Sequence, residues 1–176
     1  YSIVASGELV STTPAPGPVQ RGARARLFTF SVTQPVRYLS CLIARLVEAR
    51  SEKISVLELV DPVRAARKSG APIDEVALIV KATPRQRARG RELARQAAAI
   101  FRFYTSLIGD VPYPSLTVAT VERRLPGGHS PGYLAVVSAP GPGTTLRWSD
   151  DPGALPAFPE FFVAHELAHQ WWGQAV

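Results

Sequence analysis

Little in this sequence speaks for a membrane span, a disulfide scaffold or a nucleic-acid partner. No run of about 20 apolar residues occurs, so no segment is expected to cross a bilayer as a helix. Cys41 is the only cysteine, which excludes an internal disulfide. Its apolar surroundings predict that it packs rather than reacts, and one cysteine leaves the compartment undecided. Tyr1 opens the chain without the basic, apolar and small-residue succession of a secretory signal, and the chain is expected to be a fragment of a longer protein. There is no internal repeat and no phosphate-cradling loop, and Ser130 lacks the surroundings of a nucleophile elbow. Disorder is excluded as well, since 46% of the residues are hydrophobic and 19% charged.

The formal net charge of +6 comes mostly from arginine. Arg85, Arg87, Arg89, Arg91, Arg95 and Arg102 cluster, but on different faces of one expected helix and without interleaved aromatics. They read as a solvated helix surface, and no nucleic-acid partner is expected.

What the chain does contain is the stretch Phe161-Phe162-Val163-Ala164-His165-Glu166-Leu167-Ala168-His169-Gln170-Trp171-Trp172-Gly173. Two histidines four apart, with a glutamate directly after the first, form the H-E-x-x-H pattern of zinc peptidases. On a helix, four residues advance about 6 Å and overshoot one turn by about 40°, so both imidazoles project from one face. Two ring nitrogens can then close on one ion at about 2.0–2.1 Å. Glu166, about 100° further round, stands beside the metal as a general base. Phe161 to Gln170 contains no Gly or Pro, and Gly173 is placed to end the helix in a left-handed conformation. The bland reading is an apolar core helix that carries two histidines by accident. With three histidines in the whole chain, two of them in this register argue against it.

The run H-E-L-A-H-Q-W-W-G resembles the membrane alanyl aminopeptidase family of zinc metallopeptidases, gluzincins with a thermolysin-like catalytic domain. The resemblance implies that His165 and His169 are zinc ligands, that Glu166 is the catalytic base and that the substrate is a peptide. It also implies a third ligand, a glutamate beyond Val176. The same family carries Gly-x-Met-Glu-Asn before the zinc helix, whose glutamate binds the substrate's free amine. Here the region reads Leu125-Pro126-Gly127-Gly128-His129-Ser130-Pro131-Gly132, without a carboxylate. Gly127, Gly128 and His129 are therefore expected to meet the substrate through backbone hydrogen bonds, with weak discrimination for a free N-terminus and Glu122 as a possible substitute.

The expected fold class is α+β: the end of an antiparallel β domain over residues 1–83, then the first part of a thermolysin-like catalytic domain over 84–176. Strands are expected at Tyr1–Val10, interrupted by Gly7, and at Leu27–Thr33, Arg37–Ala49, Ile54–Val60, Glu75–Lys81, Ser115–Val121 and Tyr133–Ser138. Ser11–Gly22 reads as a loop. Thr83 and Pro84 are expected to cap and open a helix with Leu93, Ala94, Ala97, Ile100, Phe101, Tyr104 and Ile108 along its apolar stripe, ended by Gly109. An alternative to the peptidase is a catalytically inactive, peptidase-like domain that binds peptide or protein. Glu166 argues for the enzyme, because a purely structural zinc site has no use for it.

Overall fold

The computed structural model describes residues 1–16, 25–61, 73–122, 128–138 and 160–174. Among these residues eight strands and two α-helices follow in order: β1 (Ser2–Ala5), β2 (Glu8–Pro14), β3 (Arg26–Ser31), β4 (Cys41–Ala44), β5 (Val47–Ser55), β6 (Glu75–Ala82), α1 (Arg87–Ile108), β7 (Ser115–Val121), β8 (Leu134–Ser138) and α2 (Glu160–Ala168). This is an α+β fold.

The N-terminal strands form two antiparallel pairs, β1 with β4 and β2 with β3. Gly7, at φ +97°, separates β1 from β2, because a Cβ there would lie 2.4 Å from the Ser31 carbonyl oxygen. Three expectations need correcting. The loop expected from Ser11 does not begin there: β2 runs to Pro14, held by its pairing with β3. Arg37–Ala49 is not one strand, since β4 pairs with β1 while β5 pairs with β6, and residues 45–46 form the joint. Nor is Ile54–Val60 a strand. Past Ser55 the chain turns, with Leu59 and Val60 N–H both donating to the Val56 carbonyl, and this turn buries Val56 and Val60 together. Cys41 is exposed, against the expectation that it packs.

The sheet that carries the site has the order β5-β6-β7-β8, with β5–β6 antiparallel and β6–β7 and β7–β8 parallel. The parallel step follows from α1, a crossover long enough to return the chain to the same end of the sheet. Alternation along β6 buries Val76, Leu78, Val80 and Ala82 on one face. Against that side pack Ala94, Ala97, Ala98 and Phe101 of α1, with Val163, Leu167 and Trp171 from the motif segment in the same core. Each large aliphatic or aromatic side chain fully buried there contributes about 1.5–3 kcal/mol. The other face presents Ala119, Leu134 and Val136, which pack with Val4 of β1 and with Leu46 of the joint between β4 and β5. One hydrophobic core thus joins β5 and β6 to the helices.

α1 matches its expected stripe and ends as expected, with Gly109 at φ +76° and its N–H on the Thr105 carbonyl at 2.8 Å. Its start differs. Pro84–Gln86 is a 3-10 turn without a side-chain cap, because the Thr83 hydroxyl donates instead to Glu122 Oε1 at 2.6 Å. α1 lies close on the sheet at Gly90, where a Cβ would sit 2.7 Å from that of Ala49 and 2.9 Å from that of Ala82.

Candidate active site

α2 supplies His165 and Glu166, and His169 follows in the first turn beyond it. Helical geometry persists that far, since the His169 N–H still reaches the His165 carbonyl at 3.3 Å. The chain then tightens, with Gln170 and Trp171 N–H donating three residues back, and Gly173 takes a positive φ of +109°.

The two imidazoles converge as the spacing predicts. Their rings stand nearly perpendicular, centroids 4.7 Å apart, and the two Nε2 atoms lie 3.1 Å from each other. Two nitrogens at 2.0–2.1 Å from a tetrahedral ion would be about 3.3 Å apart. His169 Nδ1 lies 3.3 Å from the Trp172 carbonyl oxygen, which suits a proton on Nδ1 and leaves the Nε2 lone pair for a metal. The donor set thus fits zinc. Among the described residues no group of three or more His, Cys, Asp or Glu side chains gathers around one point, and two imidazoles are what these residues offer there.

Glu166 is only 4% exposed. Burial pushes its carboxyl above the usual range, while His165, His169, a backbone hydrogen bond from Gly128 and His129 pull the other way. Gly128 is the close neighbour: a Cβ on it would fall 2.3 Å from Glu166 Cδ and 2.5 Å from Cγ and Oε1. Only glycine leaves the carboxylate where it is. His129 pairs with Val136 through two backbone hydrogen bonds of 2.9 and 2.7 Å, so the stretch beside Glu166 runs antiparallel to β8. Gly127 lies outside the described residues. Glu122 is held by Thr83 rather than at this site.

Gln170, 1% exposed, locks the motif to that same loop. Its Oε1 accepts from the Tyr133 N–H at 3.1 Å, and its Nε2 donates to Ser130 Oγ at 2.7 Å and to the carbonyls of Pro131 and Leu134 at 3.1 and 3.3 Å. The Ser130 hydroxyl in turn donates to the Glu166 carbonyl at 2.5 Å. Gln170→Leu would leave several of these buried groups unpaired. The expected loss is about 2–4 kcal/mol of stability. Urea unfolding measures it, and an unchanged midpoint would show that the network does not hold the loop.

Trp171 donates from Nε1 to the Asp110 carbonyl at 2.8 Å and packs on Phe101 and Tyr104, with ring centroids 5.2 and 5.5 Å away. It anchors the motif to α1.

Residues 33–40, irregular and placed between β3 and β4, are the part of the site that spacing does not reveal. The Thr33 and Gln34 N–H groups donate to the Tyr133 hydroxyl at 3.1 and 2.9 Å. Arg37 Nη1 donates to the Gly173 carbonyl at 3.0 Å, and Ser40 Oγ lies 3.3 Å from His129 Nε2. Tyr133 sits at φ +69°, a conformation that costs a non-glycine residue about 1–3 kcal/mol and is held by partners at both its ends. One signal was available in the sequence: the chain has three histidines, and all three act on Glu166.

No model of a known protein family matches the chain, and no curated protein sequence matches it. Solved structures do. The M1 zinc metallopeptidase of Deinococcus radiodurans matches in a mutant form at 18% identity and a TM-score of 0.59, over 98% of this chain and 32% of that one. The unmutated form matches at 19% identity and 0.58, over 98% and 31%. Aminopeptidase A of Legionella pneumophila, in complex with aspartic acid, matches at 17% and 0.57, over 98% and 18%. The chain thus spans a third or less of the chains that it resembles. At such identities the likeness is one of fold: nearly the whole chain is folded like part of an M1 zinc metallopeptidase.

Proposed function

We propose that this chain is the zinc- and base-bearing part of a metallopeptidase of the aminopeptidase type, acting on peptides. The observation that carries the reading is the 3.1 Å approach of the His165 and His169 Nε2 atoms on one side of a helix whose intervening glutamate is buried beside them. The fold likeness to M1 zinc metallopeptidases supports it.

His165 and His169 would hold the ion through Nε2. When bound there, zinc supplies Lewis acidity toward the scissile carbonyl and the attacking water. Glu166 takes a proton from that water and returns it to the leaving amine, a role that a carboxyl raised by burial suits. The Gly128 backbone, hydrogen-bonded to Glu166, orients the base. The backbone from Gly128 to Ser130 is the surface along which a peptide would lie, with His129 at its exposed edge.

Zinc titration of the 176-residue chain tests the ligand assignment. Two imidazoles fall short of the three protein ligands of catalytic sites, so affinity is expected to be weaker than about 1 µM, without peptide hydrolysis. His165→Ala and His169→Ala should each abolish specific binding. Affinity should fall as pH is lowered, because protons compete for the neutral imidazoles that bind metal. Zinc binding unaffected by either substitution would refute the ligand assignment.

A further inference from the structure

Gly173 ends the motif at φ +109°, a backbone conformation that L residues with a side chain rarely adopt. Space is not the reason for a glycine there. A Cβ would meet nothing closer than His169 Nδ1 at 3.8 Å, an ordinary contact. What the glycine supplies is the torsion. Before it the chain is still winding, and the Ala168 carbonyl accepts from the Trp171 and Trp172 N–H groups at 3.0 and 2.9 Å. After it, the Gly173 carbonyl takes Arg37 Nη1 at 3.0 Å, from 136 residues upstream. The peptide between Trp172 and Gly173 is therefore held on both sides. Its carbonyl, one of those that a helix end leaves without an intrahelical partner, lies 3.3 Å from His169 Nδ1.

A carbonyl oxygen only accepts, so this contact is a hydrogen bond when the His169 proton is on Nδ1. A neutral imidazole has one N–H, which leaves His169 Nε2 with its lone pair. That Nε2 faces His165 Nε2 at 3.1 Å, and two nitrogens at this distance hold one proton between them. With both rings neutral, His165 is then the donor. The two histidines thus differ before any metal is bound: His169 is set to coordinate, and His165 has to move its proton to Nδ1 first. On the ligand assignment made above, we propose that Gly173 and Arg37 are positioning residues of the metal site. The turn at Gly173, pinned by Arg37, keeps the Trp172 carbonyl on His169 Nδ1 and thereby reserves Nε2 for the ion. Through Arg37, the irregular segment before β4 becomes part of what prepares that ligand.

The proton positions are read in the metal-free 176-residue chain, with isotope-labelled histidine, from long-range proton–nitrogen NMR correlations at alkaline pH. His169 is expected to show the Nδ1–H pattern and His165 the Nε2–H pattern. Gly173→Ala should erase that pattern at His169 and weaken zinc binding by about tenfold or more. D-alanine at the same position, brought in by joining a synthetic C-terminal peptide, has the same methyl group and prefers positive φ. It should keep both the pattern and the affinity. Arg37→Ala should move both readouts the same way, by about threefold in affinity, and Arg37→Lys should restore them. If Gly173→Ala lowers the urea midpoint but leaves the His169 proton on Nδ1, the glycine is merely structural and the proposal is overturned. Equal behaviour of the two alanines, or a His169 proton on Nε2 in the unsubstituted chain, would overturn it as well. An Arg37→Ala chain indistinguishable from the unsubstituted one would overturn the part given to Arg37. The proton pattern needs no metal: a chain that shows it and takes no zinc would defeat the ligand assignment and leave the positioning of His169 standing.

Discussion

Glu166→Gln, made in the longer peptidase of which this chain is proposed to be a part, is expected to lower peptide turnover by about 10²–10⁴-fold while leaving zinc content unchanged. The substitution keeps the volume of a side chain that is 4% exposed, so the helix and both imidazoles stay in place. What it removes is the group that accepts the proton. Turnover with a chromogenic amino-acyl anilide, measured beside metal content by atomic absorption, checks both halves. Near-normal turnover would remove Glu166 from the chemistry. Loss of zinc together with turnover would make its role one of holding the site together.

The second large effect is expected from a residue with no reactive group. Gly128→Val would place a Cβ 2.3 Å from Glu166 Cδ and 2.5 Å from its Cγ and Oε1, well inside any van der Waals contact with a buried side chain. The carboxylate has to move, and a base displaced by about 1 Å costs about 10²-fold in rate. Zinc binding should persist, because neither imidazole is among the atoms that a Cβ on Gly128 would meet first. The double variant with Glu166→Gln separates causes. If Gly128 acts through Glu166, the valine adds little once the base is gone. If the two losses multiply, the glycine supports the loop in some other way.

The convergence of the two imidazoles was legible because a four-residue spacing fixes geometry on any helix, and His165 and His169 obey it. α1 and its end at Gly109 were legible for the same reason, a period of 3.6 and a residue free to adopt positive φ. β6 and β7 were found from their β-rich composition, yet nothing in that composition shows whether neighbours run parallel. The turn at Val56–Val60 was missed because short apolar runs look alike whether they alternate across a sheet or stack on a turn. Nothing in the spacing of the motif shows the partners of Gln170, which lie 36–40 residues upstream. Residues 33–40 are a different case: a segment without periodicity declares its contacts only in three dimensions.

Those contacts also set an order in time. The hydrogen bonds from residues 33–40 close over 99–100 residues to Tyr133, 89 to His129 and 136 to Gly173. Their loop-closure entropy has to be met before any of them forms, so the site is assembled after the local pairings β1–β4, β2–β3 and β5–β6. During synthesis at about 5–20 residues per second, Arg37 waits about 7–27 s for Gly173 to be made. Through that interval the segment has been made and its counterpart in the motif has not, so no part of the joint between them can close until the last residues of the motif are added.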